Sequence, residues 1–120
     1  MGMFSNLNKG VFKVQFPKNC EYKSLCDLFN DFGEDSVYII QGLYVNTKGK
    51  YGDSIVCLCK NDKADNIVVN FPKHLTDSGK RVIHSNDCIN AINDGKAGFR
   101  IKTYNDSDNV LRYSIEWLDL

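Results

Sequence analysis

The sequence predicts an all-β domain with minor α content: a five-stranded Greek-key barrel, one helix between strands three and four, and an N-terminal strand-helix extension. Three observations lead there. From residue 36 onward, runs of β-branched and aromatic residues alternate with clusters of Gly, Asn, Asp and Lys, in the order strand, strand, strand, helix, strand, strand. Gly42 interrupts the first of these strands, where a missing side chain permits the bulge that lets one strand serve two sheets. A chain of 120 residues, 42% hydrophobic and 25% charged, is long enough to bury one core but not two. Residues 1–120 are therefore read as a single domain, with residues 1–35 packed on the barrel as an extension.

In chain order, Gly10 to Phe16 alternates in part and stops at Pro17, which predicts a short strand. Between Tyr22 and Phe32, Leu25, Leu28, Phe29 and Phe32 fall at helical spacing, and Gly33 is a natural stop. Ser36 to Lys48 reads as a long strand with Val37, Ile39, Leu43 and Val45 on one face and Tyr38, Ile40, Tyr44 and Asn46 on the other. Ser54 to Lys60 and Ile67 to Phe71 complete a meander, the last strand stopping at Pro72. A short helix over Asp87 to Asp94, capped by Asn86 or Asp87 and ended by Gly95, follows. Gly98 to Tyr104 and Arg112 to Leu118 make the last two strands. Phe99, Ile101 and Thr103 share one face of the first, while Arg100, Lys102 and Tyr104 make its other face basic and aromatic.

This order, with a glycine-kinked first strand, is what an OB-type barrel needs, and such barrels bind oligonucleotides on strands two and three, between the loops that join strands one to two and four to five. The first of those loops is a hairpin tip, Lys48-Gly-Lys-Tyr-Gly52. It joins ammonium groups suited to phosphates with an aromatic face suited to bases. The second loop holds Asp106 and Asp108, whose charge opposes phosphate. The chain is neutral, with 15 basic and 15 acidic residues, yet residues 40–102 carry ten basic and six acidic side chains, a distribution compatible with a cationic groove. The candidate nucleic-acid-binding residues are Tyr44, Lys48, Lys50, Tyr51, Lys60, Arg100, Lys102 and Tyr104.

Four segments, Gly42 to Asp53, Phe71-Pro-Lys-His-Leu75, Asp94 to Tyr104 and Tyr113-Ser-Ile-Glu-Trp117, resemble the small single-stranded DNA-binding proteins of bacteriophages that infect lactic-acid bacteria. Together they cover most of residues 36–118. The resemblance implies an OB fold, sequence-tolerant binding of single-stranded DNA, and work in phage DNA replication or recombination, beside host or phage recombination proteins. A second reading is a protein-interaction module that inhibits or recruits a host enzyme. The segment Val11 to Phe16 must pair somewhere, and pairing with its copy would make a homodimer.

Other classes find little support. Five cysteines leave one unpaired in any disulfide scheme and none forms Cys-x-x-Cys, which fits a reduced cytoplasmic setting. Cys57 and Cys59 share one strand face as small apolar fillers. His74 and His84 stand without cysteines or acids at ligand spacing, so no metal or other cofactor is expected. No apolar run reaches the roughly 18 residues needed to span a bilayer. Nucleophile-elbow, phosphate-loop and zinc-protease motifs are absent, and no catalytic residue is assigned.

Overall fold

The computed structural model describes residue 12 and residues 22–47, 52–63 and 66–120. Of these, 45% lie in strands and 29% in helices, so the helical share is larger than the sequence suggests. Six strands, β1 (Tyr22–Ser24), β2 (Val37–Asn46), β3 (Ser54–Lys60), β4 (Ile67–Asn70), β5 (Ala97–Asn105) and β6 (Leu111–Asp119), form one sheet in the order β1-β4-β3-β2-β5-β6. The sheet curls into a half-barrel.

The sixth strand comes from residues expected to open a helix. Ser24 is the N-cap of α1 (Leu25–Phe32): its hydroxyl accepts from the Asp27 amide at 3.1 Å, while the Asp27 carboxylate accepts from the Ser24 amide at 3.0 Å. This reciprocal box fixes the helix start at Leu25. Tyr22, Lys23 and Ser24 stay extended and pair in parallel with Val68, Val69 and Asn70 of β4. The helix ends as expected at Gly33, whose φ of 84° suits glycine and whose amide donates to Phe29 O. Of the strand expected over residues 10–16 only Phe12, which packs against the core, lies among the described residues.

In β2 the register jumps from Ile40 opposite Cys59 to Gly42 opposite Leu58, so Gln41 is the extra residue of a bulge. The strand pairs with β3 over Ile39 to Asn46 and with β5 over Val37 to Ile39, the double role expected of a strand interrupted at Gly42. One extra residue shifts the alternation by one. The core therefore receives Tyr38 and Ile40 before the bulge and Leu43 and Val45 after it, which corrects the grouping of Val37 and Ile39 with Leu43 and Val45.

Two helices, not one, connect β4 to β5. After a single 3-10 turn at Lys73–Leu75 come α2 (Thr76–Ile83) and α3 (Asn86–Asn93). The second is capped by Ser85, one residue ahead of the expected cap. Gly79 lets α2 press on the sheet: a Cβ there would stand 2.4 Å from Ile55 Cγ1, far inside contact distance.

The core lies between the concave sheet and the helices. Tyr38 and Phe99 stack at 4.9 Å, and Phe71 meets Phe99 edge-on at 5.4 Å. Leu25 and Leu28 of α1 and Ile92 of α3 are buried with them. Cys57 and Cys59 are fully buried as apolar fillers, and burial pushes the Cys57 thiol well up.

The barrel does not close. The edge of β4 that would meet β6 is taken by β1, and no ladder joins β4 to β6 among the described residues. Side chains fill that side instead, Phe29 of α1 against Tyr113 at 5.6 Å and Phe71 against Trp117 at 6.1 Å. No helix among the described residues is long and apolar enough to cross a membrane.

Candidate nucleic-acid interface

β5 and β6 pair along their whole length, but only Gly98 to Arg100 of β5 also pair with β2. Beyond them the hairpin runs on as a two-stranded ribbon, and its turn is tightly organised. The Asp106 carboxylate accepts from the Asp108 amide at 2.9 Å, the Val110 amide at 3.0 Å and Arg112 Nε at 2.9 Å. Asn109 takes the left-handed conformation at φ 60°, which asparagine tolerates. The Val110 amide and then the Arg112 guanidinium hold the Asp106 carboxyl below its ordinary range. One of the two acids of this loop is thus engaged in building it, not presented as a bare charge.

Between this ribbon and the end of β4 runs a cleft of about 500 Å³. One wall holds Asn70, Lys73 and His74, the other Tyr104, Leu111, Arg112 and Tyr113, and the start of α1 forms one end. The walls are tied together. His74 Nε2 lies 2.9 Å from Ser114 Oγ, and its ring stands edge-on to Tyr104 at 6.1 Å. Lys73 Nζ is 3.7 Å from where a Cβ on Gly52 would be, so this wall stands close to the residue two places before β3. Pro72 creates this wall by stopping β4 and turning the chain, which sets Lys73 and His74 side by side.

The expected site residues divide among several places. Tyr104 lies in the cleft and is 43% exposed. Arg100 and Lys102 share the outer face of β5, as expected, but Glu116 of β6 faces both, at 3.8 Å from Arg100 and 2.9 Å from Lys102. Lys102 holds the Glu116 carboxyl below its ordinary range, and that face is less basic than the strand alone implies. Tyr44 is on the outer face of β2 against Val56, Leu58 and Val68, its hydroxyl 3.1 Å from that of Tyr22. Burial first, and then the Tyr22 hydrogen bond, push its phenol up to about 12, so it stays neutral beside any phosphate. Lys60 is apart from all of these, at the far end of β3 in a second cleft with Ile39, Gln41 and Asp94. Lys48, Lys50 and Tyr51 lie outside the described residues.

Lys73, His74, Leu111, Arg112 and Tyr22 are cleft or surface residues that sequence reasoning does not name as nucleic-acid contacts. The one signal for the first pair is two side chains able to carry positive charge placed directly after a strand-stopping proline. Among the described residues, no His, Cys, Asp or Glu side chains gather into a group able to hold a metal ion. No known protein family matches the chain, and no curated protein or solved structure compared with it does either.

Proposed function

We propose that the protein binds single-stranded DNA with little sequence preference, without covalent change, in the cleft between the β4 end and the β5–β6 ribbon. The observation that supports this is the make-up of that cleft. Tyr104 offers a partly exposed ring for a base, while Lys73 carries a cation for the backbone and Arg112 a second one, which a phosphate would share with Asp106. A sequence-tolerant single-strand site needs those two parts, because every base has a π-face and every nucleotide a phosphate.

The topology supports the same reading. With β1 set aside, β4-β3-β2-β5-β6 is the neighbour order of an OB barrel, here left open by the added strand. The cleft runs beside the β5–β6 ribbon, whose turn corresponds to one of the two loops that flank the oligonucleotide site in OB barrels. Arg100, Lys102 and the Tyr44–Tyr22 pair extend the surface away from the cleft. The resemblance to phage single-strand-binding proteins supplies the setting: phage DNA replication or recombination in the host cytoplasm.

Titration of the protein against oligo-dT and against duplex, over a range of salt, tests the proposal. The logarithm of the affinity should fall linearly with the logarithm of salt, with a slope of roughly −0.7 for each phosphate of a single strand that a cation such as Lys73 neutralises. Binding that ignores salt, or that is tighter on duplex, would turn the assignment toward a protein partner.

A further inference from the structure

We propose that His74 is a positioning residue of the site: its imidazole ties the β5–β6 ribbon to the end of β4 and thereby sets Tyr104 where a base stacks on it. This rests on single-strand binding in the cleft and adds what holds the cleft in shape. Tyr104 lies four residues beyond Arg100, the last residue of β5 that pairs with β2, so pairing with the main sheet does not fix it. Among the described residues no ladder joins β4 to β6 either. On the core side the ribbon is held by the ring contacts of Tyr113 and Trp117. On its outer face the contact is His74, with Nε2 2.9 Å from Ser114 Oγ and its ring edge-on to Tyr104 at 6.1 Å.

Three features make this contact a tie and not a charge. The register sets Ser114 opposite Lys102 and Tyr104 opposite Arg112, so Ser114 and Tyr104 stand on the same face of the ribbon, one on each strand. A side chain that meets both holds the two strands at once. The support is firm on either side of His74: the Leu75 amide donates to Pro72 O at 3.0 Å, the Leu75 side chain is buried, and Thr76 Oγ1 donates to Asp53 O at 3.3 Å. A hydroxyl both donates and accepts, so the bond to Ser114 holds in either tautomer of the ring and also when the ring is charged. His74 therefore acts through geometry, and its own charge is not required.

The test measures affinity for oligo-dT against salt, beside melting temperature, for the full chain and its variants. His74→Ala and Ser114→Ala should each weaken binding roughly 3- to 10-fold, a part of what the stacking ring itself is worth, with the salt slope and melting temperature kept. The double variant should be no weaker than either single one. His74→Gln, whose amide can stand where Nε2 does, should recover most of the loss, and His74→Lys, which carries a charge but no such group, should not. In a Tyr104→Ala background His74→Ala should cost nothing more. Recovery by lysine and not by glutamine would make His74 a phosphate contact and overturn the tie. So would His74→Ala and Ser114→Ala proteins that bind like the wild type, or a full loss from His74→Ala in the Tyr104→Ala background, and each of these leaves single-strand binding intact. Failure of the wild type to bind at low salt would remove the binding site and the role of the tie together.

Discussion

Phe99→Ala should lower the stability of the fold by about 3–5 kcal/mol, the range for removing a fully buried aromatic ring. Phe99 has no exposed surface, stacks on Tyr38 of β2 at 4.9 Å, takes the edge of Phe71 at 5.4 Å and lies opposite Trp117 of β6. It therefore joins the two wings of a sheet that does not close on itself. Its loss leaves a space that β2 and β5 cannot close by moving together, because they are already paired and the bare Gly98 already lets them lie close: a Cβ on that residue would stand 2.5 Å from Tyr38 O. Phe71 also sits just ahead of Lys73 and His74, so relaxation of the core around it should disturb the cleft. Denaturant unfolding of Phe99→Ala beside Phe99→Leu measures this, with the leucine protein expected to recover much of the loss. A loss below about 1 kcal/mol would mean the core is not organised around this ring.

Tyr104→Ala should weaken single-strand binding by about 1–3 kcal/mol, the usual worth of a base-stacking ring, and leave the salt slope nearly unchanged. The residue is 43% exposed, so stability should move by no more than about 0.5 kcal/mol. Lys73→Ala should do the reverse, costing less affinity but lowering the magnitude of the slope by about 0.7. Lys60→Ala should leave binding unchanged, because that side chain lies in a different cleft. The measurement is affinity against salt for the three variants beside their melting temperatures. A stably folded Tyr104→Ala protein that binds as tightly as the wild type would take stacking at the cleft out of the mechanism.

Much of the fold is legible in the amino-acid sequence. The bounds of β3 are plain because Ser54 to Lys60 is β-branched and apolar between turn-rich flanks, and the two faces of β5 because its alternation is unbroken. Gly42 marks the bulge, but its consequence does not show: an extra residue reverses the face of everything before it, and only pairing with Cys59 and Leu58 reveals where the reversal falls. The helix α2 is hidden because Gly79, Lys80 and Arg81 break the apolar pattern, although the glycine is there for close approach to Ile55. Ser24 and Asp27 have the spacing of a capping box, yet the apolar spacing from Tyr22 onward outweighs it.

The site is less legible, for a physical reason. Its walls come from segments far apart in the chain, Lys73 and His74 after β4, Tyr104 at the end of β5, and Leu111 and Arg112 at the start of β6, and their meeting is a property of the folded sheet. Arg100 and Lys102 are recognisable as a basic face, but the neutralising Glu116 depends on cross-strand register. As bare sequence the acidic loop counts against a nucleic-acid site; in the fold Asp106 builds the turn and is ion-paired with Arg112, so its charge is compensated at the expense of that cation.

The most direct test of the binding site is a backbone chemical-shift titration of the protein with oligo-dT. The largest shifts are expected at Lys73, His74, Tyr104, Leu111 and Arg112, with Lys60 and Asp94 unmoved. Shifts concentrated around Lys60 and Asp94, with the amides of the β4–β6 cleft unmoved, would contradict it.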